Sequence, residues 1–291
     1  MEHETFRFEY PRVLSIAGSD SGGGAGIQAD LKTFAALGCY GMTAITALTA
    51  QNTRGVRSIL GVPPAMLRDQ IDAVIEDIGA HAIKIGMLHA PETVAVVAGA
   101  IDRHGLNNVV LDPVMVATSG AVLIETPAIE ALARELFPRA DLVTPNLDEA
   151  ALLAGRPLRT VDDMESAATA LLARGARAVL LKGGHLPGET VVDLLLTGTG
   201  DKYRMEAPRI HSANTHGTGC TLSSAIAACL ALGEPLPEAV RHARDYVHRA
   251  LRAGASVRTG AGGGPLDHGY APENMRLRPL PEDRGAIQGE A

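Results

Sequence analysis

Short apolar runs alternate with longer amphipathic stretches along most of this chain. The first run, Val13-Leu14-Ser15-Ile16-Ala17, ends at Gly18. Such short runs predict buried strands, whereas apolar positions spaced three and four apart predict helices. The pattern predicts strands at residues 13–17, 42–48, 82–85, 109–111, 142–144, 178–181, 190–196 and 203–207. It predicts helices at residues 25–37, 63–78, 91–104, 127–136, 160–174, 218–232 and 236–252.

This repeated alternation predicts an α/β fold with a mainly parallel central sheet, because parallel strands need crossover helices. The last two strands flank Gly198-Thr199-Gly200 and are expected to pair antiparallel. No linker or internal repeat divides the pattern. We therefore expect one domain over residues 12–270, with residues 1–11 and 271–291 as flexible termini.

Composition narrows the class of protein further. Of the 291 residues 46% are hydrophobic but only 3% are aromatic, which suits a parallel sheet packed with small aliphatic side chains. The net charge of -7 without a basic run argues against nucleic acid and anionic membranes as partners. No apolar stretch approaches the roughly 20 residues of a membrane span, and no signal-peptide pattern opens the chain. With three scattered cysteines, a reduced, soluble, cytoplasmic protein is expected.

A glycine-punctuated loop, Asn214-Thr215-His216-Gly217-Thr218-Gly219-Cys220, runs directly into a predicted helix. The first turn of a helix has unpaired N–H groups and a partial positive charge, so a phosphate could bind the N–H groups of Thr218, Gly219 and Cys220. The same field would favour the thiolate of Cys220 and make it a candidate base. The alternative is a helix start whose small residues only allow close packing.

Polar residues follow several predicted strands, at the edge where α/β sheets bind ligands. Asp112, Asn146 and Glu149 offer oxygen ligands for Mg²⁺, although Asn146 suits equally well a role as helix cap. Lys182 could reach a phosphate, or could simply be solvated.

Two further side chains could recognise an organic ligand. Asp30 lies one turn into the first helix, where it could accept a hydrogen bond from a ligand amine or only interact with the helix dipole. Gln51 has an amide that both donates and accepts, which matches a pyrimidine edge but is also common in loops. The run from Gly24 to Ala29 fits G-x-G-x-x-A, yet no acidic residue closes the second strand, which disfavours a dinucleotide site. A Walker phosphate loop is absent from the sequence.

Over about residues 12–268 the chain resembles the bacterial hydroxymethylpyrimidine/phosphomethylpyrimidine kinases of the ribokinase-like superfamily. The segments that carry the resemblance are Ala17-Gly18-Ser19-Asp20, Gly24 to Leu31, Ile45 to Thr53, Lys84-Ile85-Gly86-Met87-Leu88, Asp112-Pro113-Val114-Met115, Thr144 to Ala150, Lys182-Gly183-Gly184-His185 and the Gly-Thr-Gly-Cys loop. The resemblance implies a three-layer α/β/α sandwich. It also implies ATP- and Mg²⁺-dependent phosphorylation of 4-amino-5-hydroxymethyl-2-methylpyrimidine and then of its monophosphate, for thiamine biosynthesis, by a homodimer.

The resemblance also assigns roles to individual residues. It places the pyrimidine on Asp30 and Gln51, in a pocket that is lined by Gly18, Thr49 and Met87. It makes Gly217, Thr218 and Gly219 an anion hole and Cys220 the base, where much of the superfamily has Asp. It assigns Mg²⁺ and the nucleotide phosphates to Asp112, Asn146, Glu149, Lys182, Asn214 and Thr215.

Three other functions remain open from the sequence. A pyridoxal/pyridoxine kinase would share the fold, but related bacterial B6 kinases tend to have Met in place of Gln51. A non-catalytic metabolite sensor would not need Cys220, Asn146 and Glu149. An NAD-dependent oxidoreductase is the most distant alternative.

Overall fold

The computed structural model describes residues 6–115 and 123–280. Within these ranges eleven strands and eight α-helices alternate in the predicted manner. The strands are β1 (Phe8–Glu9), β2 (Arg12–Asp20), β3 (Tyr40–Asn52), β4 (Gly55–Gly61), β5 (Ala82–Ile85), β6 (Val109–Leu111), β7 (Leu142–Val143), β8 (Ala178–Leu181), β9 (Thr190–Thr197), β10 (Lys202–Pro208) and β11 (Arg278–Pro279). The helices are α1 (Gly26–Ala36), α2 (Pro64–Asp77), α3 (Pro91–His104), α4 (Thr126–Glu135), α5 (Leu147–Ala154), α6 (Val161–Ala173), α7 (Thr218–Ala231) and α8 (Leu236–Gly254).

Nine of these strands form one sheet in the order β10-β9-β8-β7-β6-β5-β2-β3-β4. The six strands from β8 to β3 in that order run parallel, which confirms the predicted mainly parallel sheet. The predicted antiparallel pairing of β9 with β10 is also confirmed, and β9 additionally pairs antiparallel with β8. The edge strand β4 was not predicted, because its sequence Gly-Val-Arg-Ser-Ile-Leu-Gly has neither a continuous apolar run nor strict alternation.

Each face of the sheet has its own hydrophobic core. Successive side chains of a central strand belong to different cores, because side chains alternate between the two faces along a strand. Leu14 and Ile16 face the helices α2 to α6, whereas Val13 faces α1, α7 and α8. Both faces of the sheet are thus covered, which confirms the three-layer α/β/α architecture. Among the described residues, no helix has both the length and the apolar character that a membrane crossing requires.

The two ends of the described chain are held in place by backbone hydrogen bonds. β1 pairs antiparallel with β11, and the Arg276 N–H donates to Gly38 O over 2.8 Å. Residues 8–9 and 276–279, which belong to the segments predicted to be flexible, thus take part in backbone pairing. Their polar composition gave no sign of it, because main-chain pairing does not depend on apolar side chains. Residues 1–5 and 281–291, for which flexibility was also predicted, lie outside the described residues.

The order in which the chain adds strands to the sheet reverses at β2. From β2 it passes first to β3 on one side and later to β5 on the other side. Such a switch point leaves a crevice beyond the carboxyl ends of the two flanking strands, because the connecting segments diverge there. The fold thus places the ends of β2, β3 and β5 around one opening, and the start of α7 lies beside it.

Candidate active site

A pocket lies at this opening and collects most of the residues that the sequence indicated. Eleven predicted site residues line it: Gly18, Thr49, Gln51, Met87, Asp112, Asn146, Glu149, Lys182, Gly217, Gly219 and Cys220. They come from five separate strand ends and the start of two helices, and only the parallel arrangement of the strands brings them together.

Two glycine loops meet on one side of the pocket at a distance that only glycine permits. Gly217 has a φ of +80°, and a Cβ on it would lie 1.8 Å from Gly24 O in the first loop. A Cβ on Gly24 would in turn lie 2.4 Å from the His216 ring. The start of α7 is thereby held against the turn that precedes α1.

Asp20 joins these two loops through its carboxylate. It accepts hydrogen bonds from the N–H groups of Gly22, Gly24 and Ala25, and its Oδ2 lies 2.9 Å from His216 Nε2. Burial acts to raise the pKa of Asp20, but the His216 contact and the N–H donors outweigh it and lower the pKa. Asp20 therefore remains an anion that fastens both loops.

The Gln51 amide forms the polar wall of the pocket beside this junction. Its Oε1 lies 3.1 Å from Thr49 Oγ1, and its Nε2 lies 3.3 Å from His216 Nε2. An amide can make further hydrogen bonds from both of its atoms. Across the pocket Met87 approaches so closely that a Cβ on Gly18 would lie 3.1 Å from its Sδ. A flat ring with donors and acceptors on one edge matches this combination of an apolar face and a polar edge.

The first turn of α7 leaves two N–H groups unpaired, as the predicted anion hole requires, but they are not the full predicted set. Neither the Gly219 nor the Cys220 N–H has a hydrogen-bond partner among the described residues. The Thr218 N–H donates instead to Thr215 O over 3.2 Å, and Thr218 does not line the pocket. A Cβ on Gly219 would lie 3.2 Å from Lys182 Nζ, so an anion on this turn would meet the lysine as well.

Charged groups on the other side of the anion hole are paired with one another. Lys182 Nζ donates to Asp112 Oδ1 over 2.8 Å. Asn146 and Glu149 form a capping box at the start of α5: each accepts the backbone N–H of the other, over 2.9 and 2.8 Å. Burial raises the pKa of Glu149 to about 7, which Lys182 opposes and Asp112 reinforces. The capping role that the sequence left open for Asn146 is therefore real, and it holds Glu149 in the pocket.

The oxygen atoms near Lys182 fit a magnesium ion whose remaining ligands come from a phosphate and from water. Asp112 and Glu149 provide hard oxygen atoms, and their repulsion is among the causes of the high pKa of Glu149. Mg²⁺ usually takes one or two carboxylates and completes its shell with water and phosphate oxygens. Among the described residues, the clusters of three potential metal ligands lie elsewhere, at Asp72, Glu76 and His104 and at Cys229, Glu234 and His242.

Asp30, which was predicted to hold the pyrimidine, does not reach the pocket. Its carboxylate is fully buried and lies 2.9 Å from Lys84 Nζ. The Oγ atoms of Ser15 and Ser224 also donate to it, each over 2.6 Å. One turn into α1 the side chain faces the sheet, and its hydrogen-bonding capacity is taken up by protein groups.

Of the two predicted phosphate ligands at the start of the α7 loop, Asn214 has a different role in the structure. Asn214 Nδ2 donates to Gly254 O and Val257 O over 2.7 and 2.6 Å, and its Oδ1 accepts from the Gly264 N–H. Neither Asn214 nor Thr215 lines the pocket. Asn214 instead ties the α7 loop to the segment after α8.

Cys220 lies in the pocket wall as predicted, but its thiol is not activated as expected. Burial raises the pKa of Cys220 to about 11, against the opposing influence of Lys84 and of the Gly26 N–H. The pKa is thus raised and not lowered as expected, because desolvation of the buried thiol is the largest influence on it.

Three charged residues of the pocket received no role from the sequence: Asp20, Lys84 and His216. All three stand within segments that carried the resemblance or within the α7 loop. A lysine at the end of an apolar strand, as in Ala82-Ile83-Lys84-Ile85, was the signal that could have indicated Lys84. The pairing of Asp20 with His216, 196 residues apart, has no such signal.

The sandwich, its strand-end pocket and the anion hole beside a lysine define a small-molecule phosphotransferase of the ribokinase-like class. The model of the phosphomethylpyrimidine kinase family matches residues 20–267, and the chain belongs to that family.

Individual relatives agree with this assignment. The chain is 53% identical over 257 residues to a hydroxymethylpyrimidine/phosphomethylpyrimidine kinase of Rhizobium meliloti, covering 88% of this chain and 96% of that protein. It is 51% identical over 274 residues to the thiamine biosynthesis bifunctional protein ThiED of Geobacter sulfurreducens, covering 94% of this chain and 55% of that protein. The chain thus spans about half the length of this bifunctional relative.

Solved structures show the same fold around related chemistry. A Bacillus subtilis pyridoxal kinase in complex with ADP superposes with a TM-score of 0.82 at 38% identity, covering 89% of this chain and 98% of that chain. A phosphomethylpyrimidine kinase of Clostridium difficile 630 gives a TM-score of 0.73 at 43% identity, covering 82% of this chain and 99% of that chain.

Replacing Gly217 with alanine should separate the two glycine loops, because the new Cβ would overlap Gly24 O. We expect the unfolding free energy to fall by at least about 2 kcal/mol more than in a control variant, measured by urea denaturation. Gly233→Ala is the matched control, since Gly233 has a φ of +91° and nothing within 4 Å of a new Cβ. Equal losses of unfolding free energy in the two variants would show that backbone strain, and not the contact between the loops, causes the effect.

Glu149→Gln should change the pH dependence of stability while it keeps the capping box, which accepts Gln as well as Glu. The folded protein raises the pKa of Glu149 from 4.5 to about 7, so it binds the proton more tightly than the unfolded chain does. Protonated Glu149 therefore stabilises the folded wild type. This contribution is complete below pH 4.5 and is lost as the pH rises to about 7. Relative to Glu149→Gln, the free energy of unfolding of the wild type should fall by at most about 3 kcal/mol over this pH range in metal-free buffer. If the unfolding free energies of the wild type and Glu149→Gln depended on pH in the same way, the raised pKa of Glu149 would be contradicted.

Proposed function

We propose that this chain transfers the γ-phosphoryl group of ATP to 4-amino-5-hydroxymethyl-2-methylpyrimidine and then to its monophosphate, in thiamine biosynthesis. The observation that carries the proposal is one pocket in which the Gln51 amide lies on one side and the Gly219–Lys182 anion site on the other. Cys220 lies in the wall of the same pocket. Membership in the phosphomethylpyrimidine kinase family and the names of the relatives support this substrate.

Each part of the pocket has a separate task in the proposed transfer. Gln51 orients the ring through its amino and ring-nitrogen edge, and Met87 packs against its face. The N–H groups of Gly219 and Cys220, together with Lys182, bind the transferring phosphoryl group, which gathers negative charge during the reaction. Positioning and charge stabilisation of this kind account for most of phosphoryl-transfer catalysis.

Cys220 is the proposed base for the acceptor hydroxyl. Its thiolate accepts the hydroxymethyl proton while the hydroxyl oxygen bonds to the γ-phosphorus of ATP, and the bond from that phosphorus to the β–γ bridging oxygen breaks. ADP leaves, and the thiol returns its proton to water. With a pKa of about 11 for Cys220, only a small fraction of the free protein holds the thiolate at neutral pH.

Mg²⁺ is the proposed metal, held by Asp112 and Glu149 with phosphate and water completing its shell. When bound, it would neutralise charge on the ATP phosphates. We also propose that the protein is cytoplasmic and a homodimer; the three free cysteines support the first point, and the resemblance supports the second.

Pyridoxal kinase activity is the second candidate, because the B. subtilis pyridoxal kinase superposes with the higher TM-score of the two solved structures compared above. Fold similarity does not decide between two substrates of similar ring size, since function resides in the site. The Gln51 amide favours the pyrimidine, whose amino group and ring nitrogen together complement an amide.

A parallel assay of ADP release distinguishes the two substrates. With Mg·ATP, the wild type should turn over the pyrimidine and its monophosphate well above pyridoxal and pyridoxine. Gln51→Met should lower kcat/KM for the pyrimidine by about 10- to 100-fold, the value of one or two hydrogen bonds, and should affect pyridoxal much less. An equal effect on both rings would remove Gln51 as the determinant of specificity.

Cys220→Ala tests the base separately from binding. Because only the transfer step needs the thiolate, kcat should fall by about 100-fold or more while the dissociation constant of the pyrimidine, measured by calorimetry, stays within a few-fold. Unchanged turnover would show that positioning in the anion hole suffices and that Cys220 is not the base.

A further inference from the structure

Lys84 provides a buried positive charge directly behind the pocket. It stands in β5, its side chain is fully buried, and its Nζ donates to both carboxylate oxygens of Asp30 over 2.9 Å. The hydroxyls of Ser15 and Ser224 complete the hydrogen bonds to the Asp30 carboxylate. Four elements, β2, α1, β5 and α7, thus converge on one buried ion pair.

The same lysine is part of the pocket wall, together with Cys220. Gly86 leaves the space that the ammonium occupies, because a Cβ at that position would lie 2.8 Å from Lys84 Nζ. An ammonium has three N–H donors, and among the described residues Asp30 is its hydrogen-bond acceptor. With two donors directed at Asp30, the third has no acceptor among the described residues.

Lys84 and Cys220 influence each other electrostatically. Burial is the largest single influence on the pKa of Lys84 and lowers it, but Asp30, Cys220 and Asp112 together outweigh burial and raise the pKa. For Cys220, burial is the largest influence and raises the pKa, and Lys84 is the next largest and lowers it. The other charged groups that face Cys220 or share its pocket are Asp20, Asp30, Asp112, Glu149, Lys182 and His216.

Burying an ion pair is costly, and a pair of apolar residues would often be as stable, so the pair calls for a role beyond stability. We propose that Lys84 is a positioning residue for phosphoryl transfer: its buried ammonium stabilises the thiolate of Cys220, and Asp30 holds that ammonium in place. Asp30 therefore acts on the reaction through Lys84 and not by binding the substrate. The inference deepens the proposed function, since it rests on Cys220 as the base.

Alkylation of Cys220 by iodoacetamide, followed by mass spectrometry of its peptide, tests the proposal without any substrate. At pH 8 the rate follows the thiolate fraction, so Lys84→Met should slow alkylation about tenfold for each unit by which the pKa rises. The double variant Asp30→Asn/Lys84→Met removes both charges together and covers the case in which Lys84→Met alone fails to fold. It should also be slower than wild type, by a smaller factor, because Asp30 opposes Lys84 at Cys220.

Ser15→Ala is the matched control, since it removes one hydrogen bond to Asp30 and leaves the charge of Lys84 in place. Its alkylation rate should stay within about twofold of wild type. Rates in the folded double variant that equal or exceed the wild-type rate would overturn the proposal, because a purely structural ion pair would at most loosen the site. If no pyrimidine is phosphorylated by the wild type, the proposed function fails while this measurement still decides the role of Lys84.

Discussion

The close contact between two glycine loops is the constraint on which the rest of the site depends. Gly217 can touch Gly24 O only because it has no side chain and adopts a positive φ. Asp20 then holds the contact by accepting three N–H groups of the first loop and facing His216 of the second. Since the first loop follows β2 and the second begins α7, this contact fixes the distance between the organic part of the pocket and the anion hole.

Two buried ion pairs influence Cys220, and in one of them the acid, Asp30, lies behind the pocket wall. Lys84 with Asp30 lies on the side of β2 and β5, and Lys182 with Asp112 lies on the side of β6 and β8. Each pair is nearly neutral from a distance, so the pocket does not accumulate the net charge that burial would penalise. Close to Cys220, however, the individual charges act separately: Lys84 lowers the pKa of the thiol against desolvation, whereas Asp30 and Asp112 raise it.

The relation to pyridoxal kinases shows how little of the fold is specific to one substrate. The B. subtilis pyridoxal kinase compared above has the same fold, although it is named for a different ring. The sandwich and its strand-end pocket can serve either ring, and a few side chains at the polar edge must therefore decide between them. In this chain that edge consists of Gln51, with Thr49 and His216 in contact with its amide.

The sequence by itself determined the alternation of strands and helices, the parallel sheet and the location of the site at strand ends, because these follow from periodicity and from glycine and polar residues at fixed points along the chain. It also indicated eleven pocket residues, among them Gln51, Lys182 and Cys220. Only the tertiary structure decided which polar groups face a ligand and which are used up inside the protein. Asp30 and Asn214 look available in sequence, yet both are buried and saturated by hydrogen bonds. Their partners lie tens of residues away, and burial, which sets the pKa of Cys220, depends on every element that packs around it.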